Sequence, residues 1–178
     1  MAFCTIFILF LCAFAVQENV ADNNFNAYYS PQWGRDHLSI DAQGTQVQLK
    51  MDRSSGAGFR SKLDYGAGLF HIRMKIPDRK TEGIVTAFYL ISINTPQNHY
   101  EVDYEFLGTN GTLQTNVFAN DTGNREQKFK LWFDPTKDFH TYEILWNSRQ
   151  IVFVRNTQHL GIIKGPDRQS DIIQIRSP

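Results

Sequence analysis

The chain lacks the residue groupings on which several classes of functional site depend. Its two cysteines, Cys4 and Cys12, stand close to the N-terminus, so a later disulfide or thiolate site is excluded. The five histidines are far apart in sequence, and no two have the spacing of a local zinc site. The glycines near Gly56 and Gly66 are not followed by the Lys-Ser/Thr of a phosphate loop, and a nucleophile elbow for Ser-His-Asp hydrolysis is missing. We therefore expect neither a metal nor a cofactor.

The chain also lacks an excess of either charge. Lys plus Arg and Asp plus Glu are 18 each, so the formal net charge is zero. A basic stripe that would attract nucleic acid is absent, and so is a run of like charge that would favour an anionic membrane surface. We expect a partner that is neither a nucleic acid nor a membrane.

A short apolar segment begins the chain. Residues 2–16 contain one polar residue, Thr5, and the first charged side chain is Glu18. The run ends in Ala13-Phe14-Ala15, which predicts a signal peptide over residues 1–15, cut after a small residue, although its n-region lacks Lys and Arg. It is too short for a comfortable membrane span. The alternative is a buried N-terminal strand or helix.

Alternating apolar residues after the first segment predict an all-β domain. Phe70, Ile72, Met74 and Ile76 alternate with polar residues, as do Tyr142, Ile144 and Trp146. Residues 84–91 are nearly all apolar, which predicts a central strand buried on both faces. Turn signals such as Asn110-Gly111 separate the runs, a pattern typical of a sandwich or barrel. Trp33 and Trp146 are expected in the core.

The most informative stretch carries three acids at alternate positions. Glu101, Asp103 and Glu105 share one face of a predicted strand, because successive side chains point to opposite faces. The Cα atoms of Glu101 and Glu105 would lie roughly 13 Å apart, which lets inward-leaning carboxyl groups end roughly 5–6 Å apart. That separation is typical of a retaining glycosidase. The alternative is a solvated polar strand face.

Several ordered blocks resemble one plant enzyme family. Residues 99–108, His-Tyr-Glu-Val-Asp-Tyr-Glu-Phe-Leu-Gly, resemble the catalytic signature of the xyloglucan endotransglucosylase/hydrolases of glycoside hydrolase family sixteen. Further similar blocks are Ser55 to Phe59, Gly83 to Leu90, Gln114 to Val117, Arg125 to Gln127 and Leu131 to Thr136. The resemblance implies a β-jelly-roll sandwich over residues 16–154, with the acidic strand on the concave sheet. It covers roughly residues 25–154.

The resemblance also implies roles for the three acids. Glu101 matches the nucleophile, Glu105 the general acid/base, and Asp103 the auxiliary acid between them. The implied activity is cleavage and religation of xyloglucan or a related β-glucan, with a xyloglucan oligosaccharide as acceptor, by a secreted, monomeric cell-wall protein. Neighbouring acids push their pKa values apart, so one can be protonated while another is ionised.

Sugar recognition and glycosylation are expected at residues in the same blocks. The predicted substrate-binding residues are His99, Gln114, Asn116, Arg125, Gln127 and Trp132, although Trp132 could equally be a core residue. Tyr100 replaces the usual acid of the family. Two sequons, at Asn110 and Asn120, lie in predicted turns and are expected to carry glycans in a secreted chain.

Residues 155–178 depart from the family pattern. Arg155-Asn156-Thr157 stands where the family continues with an Asp and a Pro-containing turn. The segment is expected to form at most one or two loosely packed strands, which would leave the jelly roll incomplete. The alternative function is therefore a catalytically impaired, truncated paralogue that at most binds glucan.

Overall fold

Two four-stranded antiparallel sheets face each other in the computed structural model, which describes residues 24–78, 82–92, 99–108, 112–156 and 158–164. The predicted signal peptide, the Asn110 sequon and residues 165–178 lie outside these ranges. The helices are α1 (Phe25–Tyr28) and a 3-10 turn (Arg35–His37). The strands are β1 (Tyr29–Trp33), β2 (Leu38–Ile40), β3 (Val47–Leu49), β4 (Gly58–Ser61), β5 (Gly68–Met74), β6 (Val85–Ile91), β7 (Tyr100–Leu107), β8 (Thr112–Ala119), β9 (Gln127–Lys130), β10 (His140–Trp146), β11 (Gln150–Arg155) and β12 (Gln158–Lys164).

The first sheet, in the order β6-β7-β8-β9, is called the acid sheet because β7 carries the three acids. The second sheet, in the order β12-β11-β10-β5, is called the outer sheet. Strand β12 lies in the segment predicted as a tail, and it pairs with β11 in an antiparallel register that shifts between Phe153 and Val154. The domain boundary predicted at residue 154 stays a prediction.

The core fills the space between the two sheets. Val102, Tyr104 and Phe106 of β7 are at most 1% exposed, and Tyr142 and Ile144 of β10 are fully buried. Edge-to-face ring contacts join the sheets, with Phe106 and Tyr142 centroids 5.0 Å apart. The Tyr104 hydroxyl donates to the Val154 carbonyl at 2.8 Å, so its polar end is satisfied across the interface.

Two short antiparallel strand pairs, β1-β4 and the hairpin β2-β3, form separate sheets. Trp33 on β1 is 52% exposed, so the prediction that it lies in the core was wrong, whereas Trp146 is buried. The Trp33 ring packs against the backbone of Gly56 and Gly58, where an added Cβ at Gly58 would meet Trp33 Nε1 at 2.4 Å. A strand outside the sandwich has no second sheet against which to bury such a ring.

Strand β6 also differs from its prediction. It is an edge strand of the acid sheet among the described residues, and Val85 is 50% exposed. Its burial alternates for the first half of the strand rather than being continuous. Apolar composition alone cannot distinguish a central strand from an edge strand whose second face lines an open surface.

Candidate active site

The three acids occupy one face of β7, as the alternation predicts. Val102, Tyr104 and Phe106 point into the core, which directs Glu101, Asp103 and Glu105 to the opposite face of the acid sheet. Cross-strand partners extend this face, since Glu105 lies opposite Ala87 and Gln114, and Asp103 lies opposite Tyr89 and Asn116. The alternative of a solvated polar face does not fit, because the side chain of Asp103 is only 6% exposed.

The surroundings of Asp103 favour its protonated form. Burial raises its pKa to about 8, and the charge of Glu101, a hydrogen bond to Glu101 and the charge of Glu105 add to the shift. A protonated Asp103 donates this hydrogen bond to an ionised Glu101. The middle acid therefore holds the neighbouring carboxylate in place.

Glu101 has a second partner in His99. The Nε2 atom of His99 lies 2.5 Å from Glu101 Oε2, and the imidazole stacks on Phe118 with centroids 4.5 Å apart. His99 lies two positions before Glu101, and the extended backbone places both side chains on the same face. His99 was predicted to bind sugar, and the structure brings it into contact with the proposed nucleophile.

Glu105 is held from the neighbouring strand. Gln114 Nε2 donates to Glu105 Oε2 at 2.9 Å, and the two residues are direct cross-strand partners. Gln114 was predicted to bond sugar hydroxyls, and in the structure its amide bonds the proposed acid/base. The outer acids therefore have different neighbours, an imidazole for Glu101 and a neutral amide for Glu105.

Asn116 and Arg125 organise the turn beside the acids. Asn116 Oδ1 accepts from the backbone N–H of Val117 at 2.8 Å and of Arg125 at 3.3 Å. Arg125 makes an ion pair with Asp121 at 2.6 Å and donates to the Val117 and Gly123 carbonyls. Both side chains were predicted to contact sugar, and the structure shows them holding residues 120–125 in place.

Gln127 and Trp132 lie away from the three acids. Gln127 Oε1 is 3.3 Å from the position of a Cβ at Gly161 of β12, so its side chain turns towards the outer sheet. Trp132 follows β9 and stacks on the buried guanidinium of Arg155, 3.3 Å from its ring centroid. Its ring is still 63% exposed, so its sugar-binding role stays a prediction.

Tyr89 is a residue of this face that the sequence did not single out. It lies directly opposite Asp103, half-buried, and burial with the charges of Glu101 and Asp103 raises its pKa. The sequence signal was weak, since Tyr89 is one of two hydroxyl side chains, with Thr86, in a mostly apolar run. Its position opposite Asp103 follows only from the register between β6 and β7.

The described ranges contain neither a metal cluster nor a membrane-spanning helix. No group of three His, Cys, Asp or Glu side chains there could hold a metal ion. None of the helices in those ranges has the length and apolar character needed to cross a membrane.

The chain is similar in sequence to known plant proteins. Xyloglucan endotransglucosylase/hydrolase protein 2 of Arabidopsis thaliana is 54% identical over 145 residues, which are 79% of this chain and 49% of that protein. Protein 3 of the same organism is 54% identical over 133 residues, 72% of this chain and 45% of that protein. The chain spans about half the length of these relatives.

Solved structures confirm the jelly-roll fold. The β-glucanase of Bacillus licheniformis superposes with a TM-score of 0.72 at 25% identity, covering 88% of this chain and 78% of that one. A bacterial β-1,3-1,4-glucanase from a mouse hindgut metagenome gives 0.69 at 26% identity, covering 88% and 79%. The family model "Glycosyl hydrolases family 16" matches residues 25–170. The chain belongs to glycosyl hydrolase family 16.

Proposed function

We propose that this chain carries a retaining glycosidase site that cleaves xyloglucan and passes the fragment to a sugar acceptor or to water. The observation that supports it most is the asymmetric set on β7. Glu101 faces a protonated Asp103 and His99, while Glu105 faces the amide of Gln114. The curated relatives carry the names of xyloglucan endotransglucosylase/hydrolases.

In the first step Glu101 attacks the anomeric carbon and forms a covalent bond to it as the glycosidic C–O bond breaks. Glu105 gives its proton to the leaving oxygen. In the second step Glu105 takes the proton of an incoming hydroxyl, that oxygen bonds the anomeric carbon, and the bond to Glu101 breaks. A sugar hydroxyl gives transfer, and water gives hydrolysis.

Asp103 and His99 have supporting roles in this scheme. The Asp103 hydroxyl donates to Glu101, which fixes the rotamer of the nucleophile before attack. Glu101 loses its charge when it becomes an ester. Because the three acids titrate as a coupled set, the protonation of Asp103 and Glu105 changes with it. His99 contacts the carboxylate of Glu101 from the other side and so restricts its position.

A transfer assay tests the proposal. The full chain is incubated with xyloglucan and a fluorescently labelled xyloglucan oligosaccharide, and growth of labelled polymer is measured. We expect transfer with the unaltered chain, none with Glu105→Gln, and unchanged transfer with Glu143→Gln on β10 of the outer sheet. Binding of xyloglucan without any turnover would replace this proposal by the glucan-binding alternative.

We propose further that the protein is secreted to the cell wall, glycosylated and monomeric. The apolar segment ending at Ala15 and the exposed sequon residue Asn120 support the first two statements. Asn120 lies in the turn held by Asp121 and Arg125. N-terminal sequencing of the product should begin at or near Val16, and endoglycosidase treatment should lower its mass. A product that retains Met1 would contradict secretion.

A further inference from the structure

Strand β9 places two lysines on the face of the acid sheet that carries the three acids. Lys128 lies opposite Gln114, which lies opposite Glu105, so the three form one row across the sheet. Lys130 lies opposite Thr112, one step further along. Phe129, between them, points the other way and packs on the core. Because direct cross-strand partners share a face, both lysines face the same side as Glu105.

The row brings Lys128 within reach of a ligand bound over Glu105. Neighbouring strands are about 4.8 Å apart, so the Cα atoms of Lys128 and Glu105 are roughly 10 Å apart. The flexible four-carbon stem of lysine carries its ammonium well beyond the backbone. A sugar unit that gives its hydroxyl proton to Glu105 would therefore have Lys128 beside it.

The charges of these lysines are not neutralised within the described residues. Neither Lys128 nor Lys130 is in an ion pair there, and both side chains are exposed. The neighbouring cation Arg125 is paired with Asp121. Glu105 is bonded by Gln114, and Glu101 is bonded by His99 on the far side of Asp103. Glu126, just before β9, accepts from Asn116 Nδ2 at 3.5 Å and is the one carboxylate beside the two lysines on this strand. The β9 side of the face therefore keeps an excess of positive charge beside an acidic centre.

We propose that Lys128 and Lys130 select an acceptor glycan that carries carboxylates, a uronic-acid oligosaccharide, at the acceptor side of the site. This inference rests on the proposed function for the assignment of the Glu105 row to the acceptor. Glu105 contacts the leaving and incoming oxygens, so the acceptor lies over its row and the donor lies over Glu101. Point charges at two positions attract a chain of carboxylates without demanding one fixed geometry.

Equilibrium binding tests the proposal directly. The probes are a fluorescent oligogalacturonide and a neutral cello-oligosaccharide of equal length, titrated at low and at raised salt. We expect the acidic probe to bind roughly five-fold more tightly at low salt, with the preference reduced by salt. Lys128→Gln with Lys130→Gln should remove the preference, and Lys128→Arg with Lys130→Arg should restore it.

The matched control is Lys75→Gln with Lys137→Gln, which removes the same charge at exposed positions off the acid sheet. It should keep the preference, and thermal unfolding should show that every variant is folded. Equal affinity for the two probes, or an equal loss in the control pair, would overturn the inference. Selective binding in a chain that transfers to no acceptor would overturn the proposed function alone, and transfer only to neutral acceptors would overturn the inference alone.

Discussion

Asp103 on β7 and Asp52 after β3 are two aspartates with opposite surroundings. Asp103 is 6% exposed beside two other acids, and its pKa is raised to about 8, mainly by burial. Asp52 accepts from the Ser54 hydroxyl at 2.6 Å and the Ser54 backbone at 2.8 Å, and it pairs with His37 at 3.1 Å. These bonds, those of Ser54 first, hold the pKa of Asp52 well below its usual range.

The difference separates residues that stabilise the fold from residues arranged for chemistry. Folded Asp52 releases its proton more readily than the unfolded chain does, so its contribution is present above pH ~4 and is lost as pH falls. Folded Asp103 keeps a proton that the unfolded chain releases above pH ~4, so its effect lowers stability as pH rises from about 4 towards 8. The cluster of acids on the acid sheet therefore lowers the stability of the fold. Acids in turns, such as Asp52, and the core between the sheets offset that loss.

The largest expected effect is at the nucleophile. Glu101→Gln should lower the transfer rate by about 10⁴-fold or more, because the covalent intermediate cannot form. The melting temperature should not fall, since the change removes a negative charge from a cluster of three acids. Rates and melts measured on the same preparation check this. Substantial transfer by the Glu101→Gln protein would remove the proposed mechanism.

Asp103→Asn should have the next largest effect. Transfer should fall roughly 10- to 100-fold, less than for the outer acids, because the amide still donates to Glu101 but cannot exchange protons with it. Stability near pH 8 should rise by about 1–3 kcal/mol, and the decline between pH 4 and 8 should flatten. Urea melts across that pH range measure it. An unchanged pH profile would show that Asp103 is ionised in the folded chain.

Asp52→Asn should lower stability and leave the transfer rate unchanged, the reverse of Asp103→Asn. Ser54 and Ser55 donate to Oδ1, which an Asn retains, but the amide nitrogen that replaces Oδ2 cannot form the ion pair with His37, so the melting temperature should fall at neutral pH. The transfer rate per folded molecule should stay the same, because the residue is off the acid sheet. Asp64→Asn, at an exposed turn position, is the control. A loss of rate without a loss of stability would contradict the comparison.

Gly123→Ala should have a small effect on both stability and rate, and so link the two kinds of region. Gly123 has φ +75°, and an added Cβ would lie 2.7 Å from the Phe118 ring, on which His99 stacks. We expect a loss of about 1–2 kcal/mol in stability and a several-fold lower rate, through displacement of His99 from Glu101. Gly66→Ala, where nothing lies within 4 Å, should change neither. A normal transfer rate in the Gly123→Ala protein would show that the turn at Gly123 does not position His99.

Much of the acid sheet could be predicted from alternation. The period-two pattern around Glu101 placed three acids on one face and their neighbours in the core, and the structure agrees. Positions whose partners are distant in sequence could not be predicted. Gln127 is one residue out of phase with Lys128, and it turns towards Gly161 on the other sheet. Trp132 continues the polar side of the β9 pattern, but β9 ends at Lys130 and the ring stacks on Arg155.

The sequence by itself determined which side chains share a strand face, because that follows from local backbone geometry. It thereby determined the row of carboxylates on β7 and the buried row behind it. Only the tertiary structure decided that β6 is an edge of the acid sheet, that Tyr89 faces Asp103, and that His99 and Gln114 bond the outer acids. Strand order and register depend on contacts between distant segments, and burial, which raises the pKa of Asp103, exists only once the sheets have packed.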